Sequence, residues 1–273
     1  MSRLFTTLGL LVVTSVLGVA GTDPVDYPTE IAPLPDEQLA ALQQEFDALN
    51  GFQLCASLNQ LGFPVQRVDL PRCLSNHPID EIEQDESQLL EEIDAFIVKN
   101  EAFTNVTDAE QLRVQSSWGY AGCSPCNRAA GHPVITEWMA IFEAQQFQGL
   151  MVKDTAITVR WSAHGAYTLD GHWYRDVVIP AEDQFSEAEA VESLVGVELE
   201  YYGFIGDRRT LVITPALLQS DSTKAIVPFE QDDGLELRVA WEIGVLMGDA
   251  VGWYAYVDST TGELVRTEQL FIS

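Results

Sequence analysis

The chain has 273 residues, with 42 Asp and Glu against 14 Lys and Arg, and a formal net charge of -28 at pH 7. A chain this acidic is repelled by phosphate backbones and by anionic lipid, which excludes nucleic acid and membrane surfaces as partners. Its 47% hydrophobic content is that of a globular protein, and its length suits one large domain or two small ones. The acidity therefore fits a solvated surface, a salty habitat or a basic partner.

After Arg3 the run LFTTLGLLVVTSVLGVAG has the length and the small-residue end of a secretory signal peptide, with cleavage expected near Ala20 or Gly21. It is short for a spanning helix and no basic stop-transfer cluster follows. The expectation for residues 1–21 is a cleaved signal, with the mature chain secreted or periplasmic and free of the membrane. Residues 22–35 carry Pro24, Pro28, Pro33 and Pro35 and read as an extended lead-in.

Residues 36–85 form a helical, cysteine-stapled segment. Asp36 is placed as an N-cap, Leu39, Leu42, Phe46 and Leu49 follow at helical spacing, and Asn50-Gly51 is a stop. Irregular sequence over 52–78 holds Cys55 and Cys73, and VQRVDL adds a short strand. The other cysteines are Cys123 and Cys126, and four thiols allow three pairings. Their order suggests Cys55 with Cys73 and Cys123 with Cys126, as fits an oxidising compartment. The first bridge closes a loop of about 17 residues, worth roughly 3 kcal/mol on the chain-entropy model.

An acidic stretch from Ile79 carries Leu89, Leu90, Ile93, Phe96 and Ile97 on one stripe, an amphipathic helix ending near Asn100. Strands are expected over Leu112–Trp118, residues 134–147 and residues 155–161. A turn at Ala163–Ala166 then leads to a strand with Tyr167 and Leu169 that ends at Gly171. A second helix opens at Ser186 with Glu189, a capping box, and its expected buried face is Ala188, Val191, Leu194 and Val195. The strands ELEYYGFI, TLVITPAL, KAIVPFE, LRVAWEIGVL, WYAYVD and ELVRTEQLFI follow, separated by turn residues. A helix followed by a meander thus occurs twice. The fold class is α+β, with two tandem helix-plus-antiparallel-sheet units over 86–180 and 181–273.

No His-Glu-x-x-His helix, nucleophile elbow, phosphate loop or dinucleotide fingerprint is present. His77 and His132 precede prolines, while His164 and His172 flank a turn, so no histidine pair has metal-ligand spacing. Asn105-Val106-Thr107 fits the glycosylation pattern. We assign no catalytic, cofactor-binding or metal-binding residue. Cys123-Ser124-Pro125-Cys126 resembles the thioredoxin-like Cys-x-Pro-Cys, but the residues that follow allow at most one helical turn before Gly131 and Pro133. A structural staple is favoured over redox work.

The two units resemble the propeptide region of thermolysin-like and fungalysin-like metallopeptidases, its FTP part and its PepSY part. In the first unit the matching residues are Phe147, Gln148, Gly149, Leu150 and Val152, then Ile157, Val159, Gly165, Leu169 and Gly171. Met151 stands where that family has proline. In the second they are Ser186–Glu189, Leu211–Pro215, Trp241, Trp253 and the turn from Asp258 through Gly262 to Leu264. The resemblance spans about residues 86–272 and implies a cystatin-like or PepSY-like fold. It also implies a partner, a secreted zinc metallopeptidase that such a propeptide inhibits or helps to fold. No protease domain precedes Ser273, so the expectation is a non-catalytic propeptide-like protein acting in trans. Its contact would be strand addition at an edge strand or the tail EQLFIS. A PepSY-type binding module without a protease partner, a thiol-disulfide protein using Cys123 and Cys126, and a functionless remnant are the alternatives.

Overall fold

The computed structural model describes residues 27–51, 54–66, 80–122, 134–202, 207–248 and 250–270. The expected signal segment, Cys73, and the Cys123 and Cys126 pair lie outside these residues.

The architecture is α+β, built from helices laid on antiparallel sheets. Strand β1 (Thr29–Ile31) leads into helix α1 (Asp36–Asn50). Asp36 is the first helical residue rather than the cap. Pro35 occupies the N-cap and offers no side-chain acceptor. Phe46 is buried, whereas Leu49, one residue before the helix ends at Asn50, is exposed. A small hairpin follows, β2 (Ala56–Leu58) with β3 (Pro64–Gln66). Helix α2 (Glu86–Lys99) starts where Asp85 Oδ1 accepts from Gln88 N at 3.0 Å, and a short helix α3 (Glu101–Thr104) continues it. Leu89, Ile93 and Ile97, one turn apart, are fully buried.

Next come β4 (Val114–Gly122) and β5 (Val134–Phe142). Leu112 lies before β4, at the end of a 3-10 turn over Ala109–Gln111, so the strand begins two residues later than expected. The apolar run 134–147 is not one strand. Beyond Phe142 the chain leaves the first sheet and forms β6 (Gln146–Phe147) and β7 (Leu150–Val152) in another. Buried Gln145 fixes the crossing. Its N donates to Thr155 Oγ1, its Nε2 to Tyr174 O, and its Oε1 accepts from Tyr174 N. Strands β8 (Thr158–Ser162) and β9 (Gly165–Asp170) then complete a four-stranded antiparallel sheet, in the order β4-β5-β8-β9. One face of it packs on α2. Ala140, Phe142, Val159 and Leu169 meet Leu89, Ile93 and Ile97, with Phe46 of α1 at the side.

Helix α4 (Glu187–Ser193) opens with a complete capping box between Ser186 and Glu189. The residues it buries are Ala190 and Leu194, while Ala188 and Val195 are exposed. The helix ends at Ser193, so the stripe is shorter and rotated from the expected one. Among the described residues, strands β10 (Glu198–Tyr202) and β11 (Arg208–Val212) pair only with each other, and Pro215–Leu217 is a 3-10 turn rather than strand. The chain closes with β12 (Thr223–Gln231), β13 (Gly234–Met247), β14 (Ala250–Asp258) and β15 (Leu264–Gln269).

These last strands form a seven-stranded sheet in the order β15-β14-β13-β12-β7-β6, with β1 also paired to β13. It therefore takes strands from both sides of residue 180. The β12–β7 pair is parallel and the others are antiparallel. Pairing of β14 with β13 begins at Ala240, and β1 fills the vacant edge beside Leu235–Leu237. Tyr27 Oη accepts from Val239 N at 2.9 Å and extends that cover. One face carries Ile243, Val245, Trp253, Ala255 and Val257 against Ala190 and Leu194. The other carries Ala225, Val227, Ala240, Tyr256 and Val265. The sheet curls around this second face. Arg266 of β15 forms an ion pair with Asp154, just past β7, four strand spacings away. In a flat sheet those backbones would stand about 19 Å apart. Bulges at Val245/Leu246 and Tyr256/Val257 provide the bend.

Candidate binding surfaces

The motif residues shape backbone and core. Phe147 and Leu150 pair across a two-residue turn in which Gln148 and Gly149 have φ of 50° and 83°, the geometry of a type I′ hairpin. Val152 is fully buried where β7 meets Ile226 of β12. Gly171, at φ 101°, passes so close to the backbone that a Cβ would sit 2.1 Å from Ala156 O. Trp253 is 2% exposed and meets Tyr201 edge-on at 5.5 Å. Trp241 is half-buried, donates from Nε1 to Phe185 O at 3.0 Å and lies under Lys224 Nζ. Buried Asp258 accepts from Thr260 N and Thr261 N at 2.7 and 3.0 Å, which closes the turn that Gly262 finishes at φ 72°.

Cys55 is fully buried and disulfide-bonded. The proposed pairings themselves, Cys55 with Cys73 and Cys123 with Cys126, fall outside the described residues. The Asn105 side chain donates to Trp173 O, so the amide of the glycosylation pattern is already engaged. His164 Nε2 lies 2.6 Å from Asp80 Oδ2 at the surface, well apart in role from His172, which is 9% exposed. Among the described residues no group of three or more His, Cys, Asp or Glu side chains is placed to hold a metal. Among them, too, no helix is long and apolar enough to cross a membrane.

Two surfaces stand out. The first is the outer edge of β15, which has no strand beside it among the described residues. Leu270 N donates to Gly252 O, and the register pairs Glu268 with Tyr254 and Arg266 with Tyr256. Inward bonding therefore falls on residues 266, 268 and 270, and the N–H and C=O of Thr267 and Gln269 point outward.

The second is a cavity of about 550 Å³ at the mouth of the curled sheet. Its wall includes His172, Tyr174, Leu235 and the Arg266–Asp154 pair. The His172 ring is stacked on Phe63 at 3.6 Å and meets Tyr174 edge-on at 4.7 Å. Its Nε2 is buried without a hydrogen-bond partner among the described residues, and burial pushes the imidazole pKa down to about 4. Burial, and then the Asp154 carboxylate, raise the Tyr174 hydroxyl above its ordinary value. Sequence spacing gave no sign of this cavity, because its walls come from separate segments spread between Asn59 and Arg266. The one local signal is the aromatic cluster His172-Trp173-Tyr174 that follows Gly171.

No family model matches the chain, and no curated protein matches it. Among solved structures, the Bacillus megaterium YpeB C-terminal domain aligns over 88% of this chain and 100% of its own length, at 11% identity and a TM-score of 0.32. An overlap that loose carries no argument about what the chain binds.

Proposed function

We propose that this chain is a secreted, non-catalytic protein of propeptide type that binds a zinc metallopeptidase through the β15 edge and the tail after it, as an inhibitor or a folding chaperone. The observation that supports this reading is the open edge itself. Thr267 turns its backbone N–H and C=O away from β14 close to the end of the described strand. An extended cleft-bound segment pairs with such an edge by adding one strand. The motif set from Phe147 to Leu264 supports the same assignment, and its residues hold the two sheets in shape. A disulfide between Cys55 and Cys73 belongs to this reading, as a staple that an exported protein keeps.

The test begins with the mature chain from residue 22, immobilised and exposed to secreted proteins of its source. It should retain a zinc metallopeptidase, whose activity or refolding rate then responds to the soluble chain. Thr267→Pro removes one outward N–H and no bond to β14, a place where an edge strand tolerates proline. It should weaken the complex about tenfold, the weight of one hydrogen bond with its neighbouring fit. Capture of no peptidase would refute the partner. Equal binding by Thr267→Pro would refute the edge.

A further inference from the structure

The cavity beside His172 does not end at Glu230. A second of about 390 Å³ shares Leu61, Glu230 and Leu235 with it, and a third of about 230 Å³ continues from Gln231 and Gly234. Together they make one groove around the tip of the β12–β13 hairpin, bounded by β1 and the loop at residues 59–61. Leu61, Leu235 and Ile31 give it an apolar floor, and Phe229 lies on the opposite face of the β12–β13 pair at the inner end. Its rim is acidic: Glu230, Asp232 and Asp233 at the hairpin tip, with Glu30 and Glu236 beyond.

Two independent features mark this groove as short of a partner. Glu30 and Glu236 stand directly opposite each other in the β1–β13 pair, a like-charge juxtaposition that a strand pair normally avoids. Arg238 bonds Glu236, but Glu30, Glu230, Asp232 and Asp233 have no cationic partner among the described residues. At the inner end, His172 is nine-tenths buried and its Nε2 lacks a hydrogen-bond partner among the described residues. The wall offers one cation, Arg266, already engaged by Asp154.

We infer that this groove binds an extended basic segment of a partner protein, with Lys or Arg reaching the acidic rim and alternate apolar side chains on the floor. The period of two in an extended chain matches a rim and floor that run side by side. Desolvation of the floor gives affinity, and the rim gives charge selectivity and a fast encounter. Of the three explanations that the composition leaves open for the acidity, this one assigns part of it to recognition.

The probe is a fluorescent extended peptide alternating lysine and valine, titrated by anisotropy onto the mature chain. A peptide with glutamate for lysine is the control. The triple variant Glu230→Gln, Asp232→Asn, Asp233→Asn should bind about tenfold more weakly, since exposed ion pairs are individually modest and here act together. A second triple, Glu37→Gln, Glu45→Gln, Glu92→Gln, removes the same charge from exposed positions on α1 and α2 and should bind like the parent. Equal weakening by both triples would show diffuse attraction to a chain of net charge -28 and overturn the inference. Absence of binding by the parent, or loss of it in Thr267→Pro, would overturn it as well. Retained binding in Thr267→Pro separates this groove from the β15 edge.

Discussion

Protonation of His172 should weaken the fold, by an amount that its surroundings set. The imidazole is 9% exposed, pressed flat against Phe63 and edge-on to Tyr174, and its Nε2 faces no acceptor among the described residues. A cation formed there loses its hydration and gains no counter-ion, so burial pushes the pKa from 6.5 down to about 4. Between those values the unfolded chain binds a proton that the folded chain does not. Stability from this group is therefore complete above about pH 6.5 and lost as the pH falls toward 4. At about 1.36 kcal/mol per pH unit the whole window is worth roughly 3 kcal/mol, and roughly 2.5 kcal/mol of it is gone by about pH 4.5. Asp94 acts in the opposite sense. Burial, and then Glu91, push its carboxyl up to about 6, so it favours the folded state as the pH falls. The two effects overlap in the parent protein, and a comparison with His172→Phe isolates the imidazole. Urea unfolding of both proteins, followed by tryptophan fluorescence between pH 8 and pH 4.5, gives the difference directly. At pH 8 the variant should differ by a constant of about 1 kcal/mol from the change in packing. At pH 4.5 it should have gained roughly 2.5 kcal/mol relative to the parent. A difference that stays flat across that range would refute the reasoning, because it would mean that the ring finds solvent or an anion when charged.

Two further substitutions test how the framework is held. Gly171→Ala forces a side chain onto φ 101° and into Ala156 O at 2.1 Å, and should lower stability by about 3 kcal/mol in a thermal or urea melt. Trp253→Ala should cost about 4 kcal/mol, because the ring is 2% exposed and packed with Tyr201. Trp241→Ala should cost about half as much, since that ring is half-buried and loses chiefly one hydrogen bond and the Lys224 contact. Reversal of that order would contradict the assignment of Trp253 to the core.

Some of this molecule was legible in the residues themselves. The stripe Leu89, Ile93, Ile97 and the Ser186–Glu189 box describe local energetics, in which a neighbour three or four positions away decides the outcome. The helices and most strands of the α+β fold followed from such patterns, as did the tight turns at Gly149 and Gly262. The edge and the tail are contact candidates through the propeptide resemblance, which implies strand addition, and not through a local pattern.

Other features depend on contacts that no local pattern encodes. The run 134–147 carries strand character throughout, yet Gln145 breaks it by bonding Thr155 and Tyr174. Thr29–Ile31 becomes a strand only because β13 leaves an edge open some two hundred residues later. Which backbone groups of β15 face outward follows from its register with β14, and one residue of slip would reverse them. The groove at the β12–β13 tip and the isolation of His172 exist only once the sheet has curled and brought Arg266 to Asp154. The sequence by itself determined which segments are helix or strand and how acidic their exposed faces are, because those follow from side-chain chemistry within a few residues. Only the tertiary structure decided which edges stay open and which polar groups go without partners, because burial and pairing are properties of segments that meet in space.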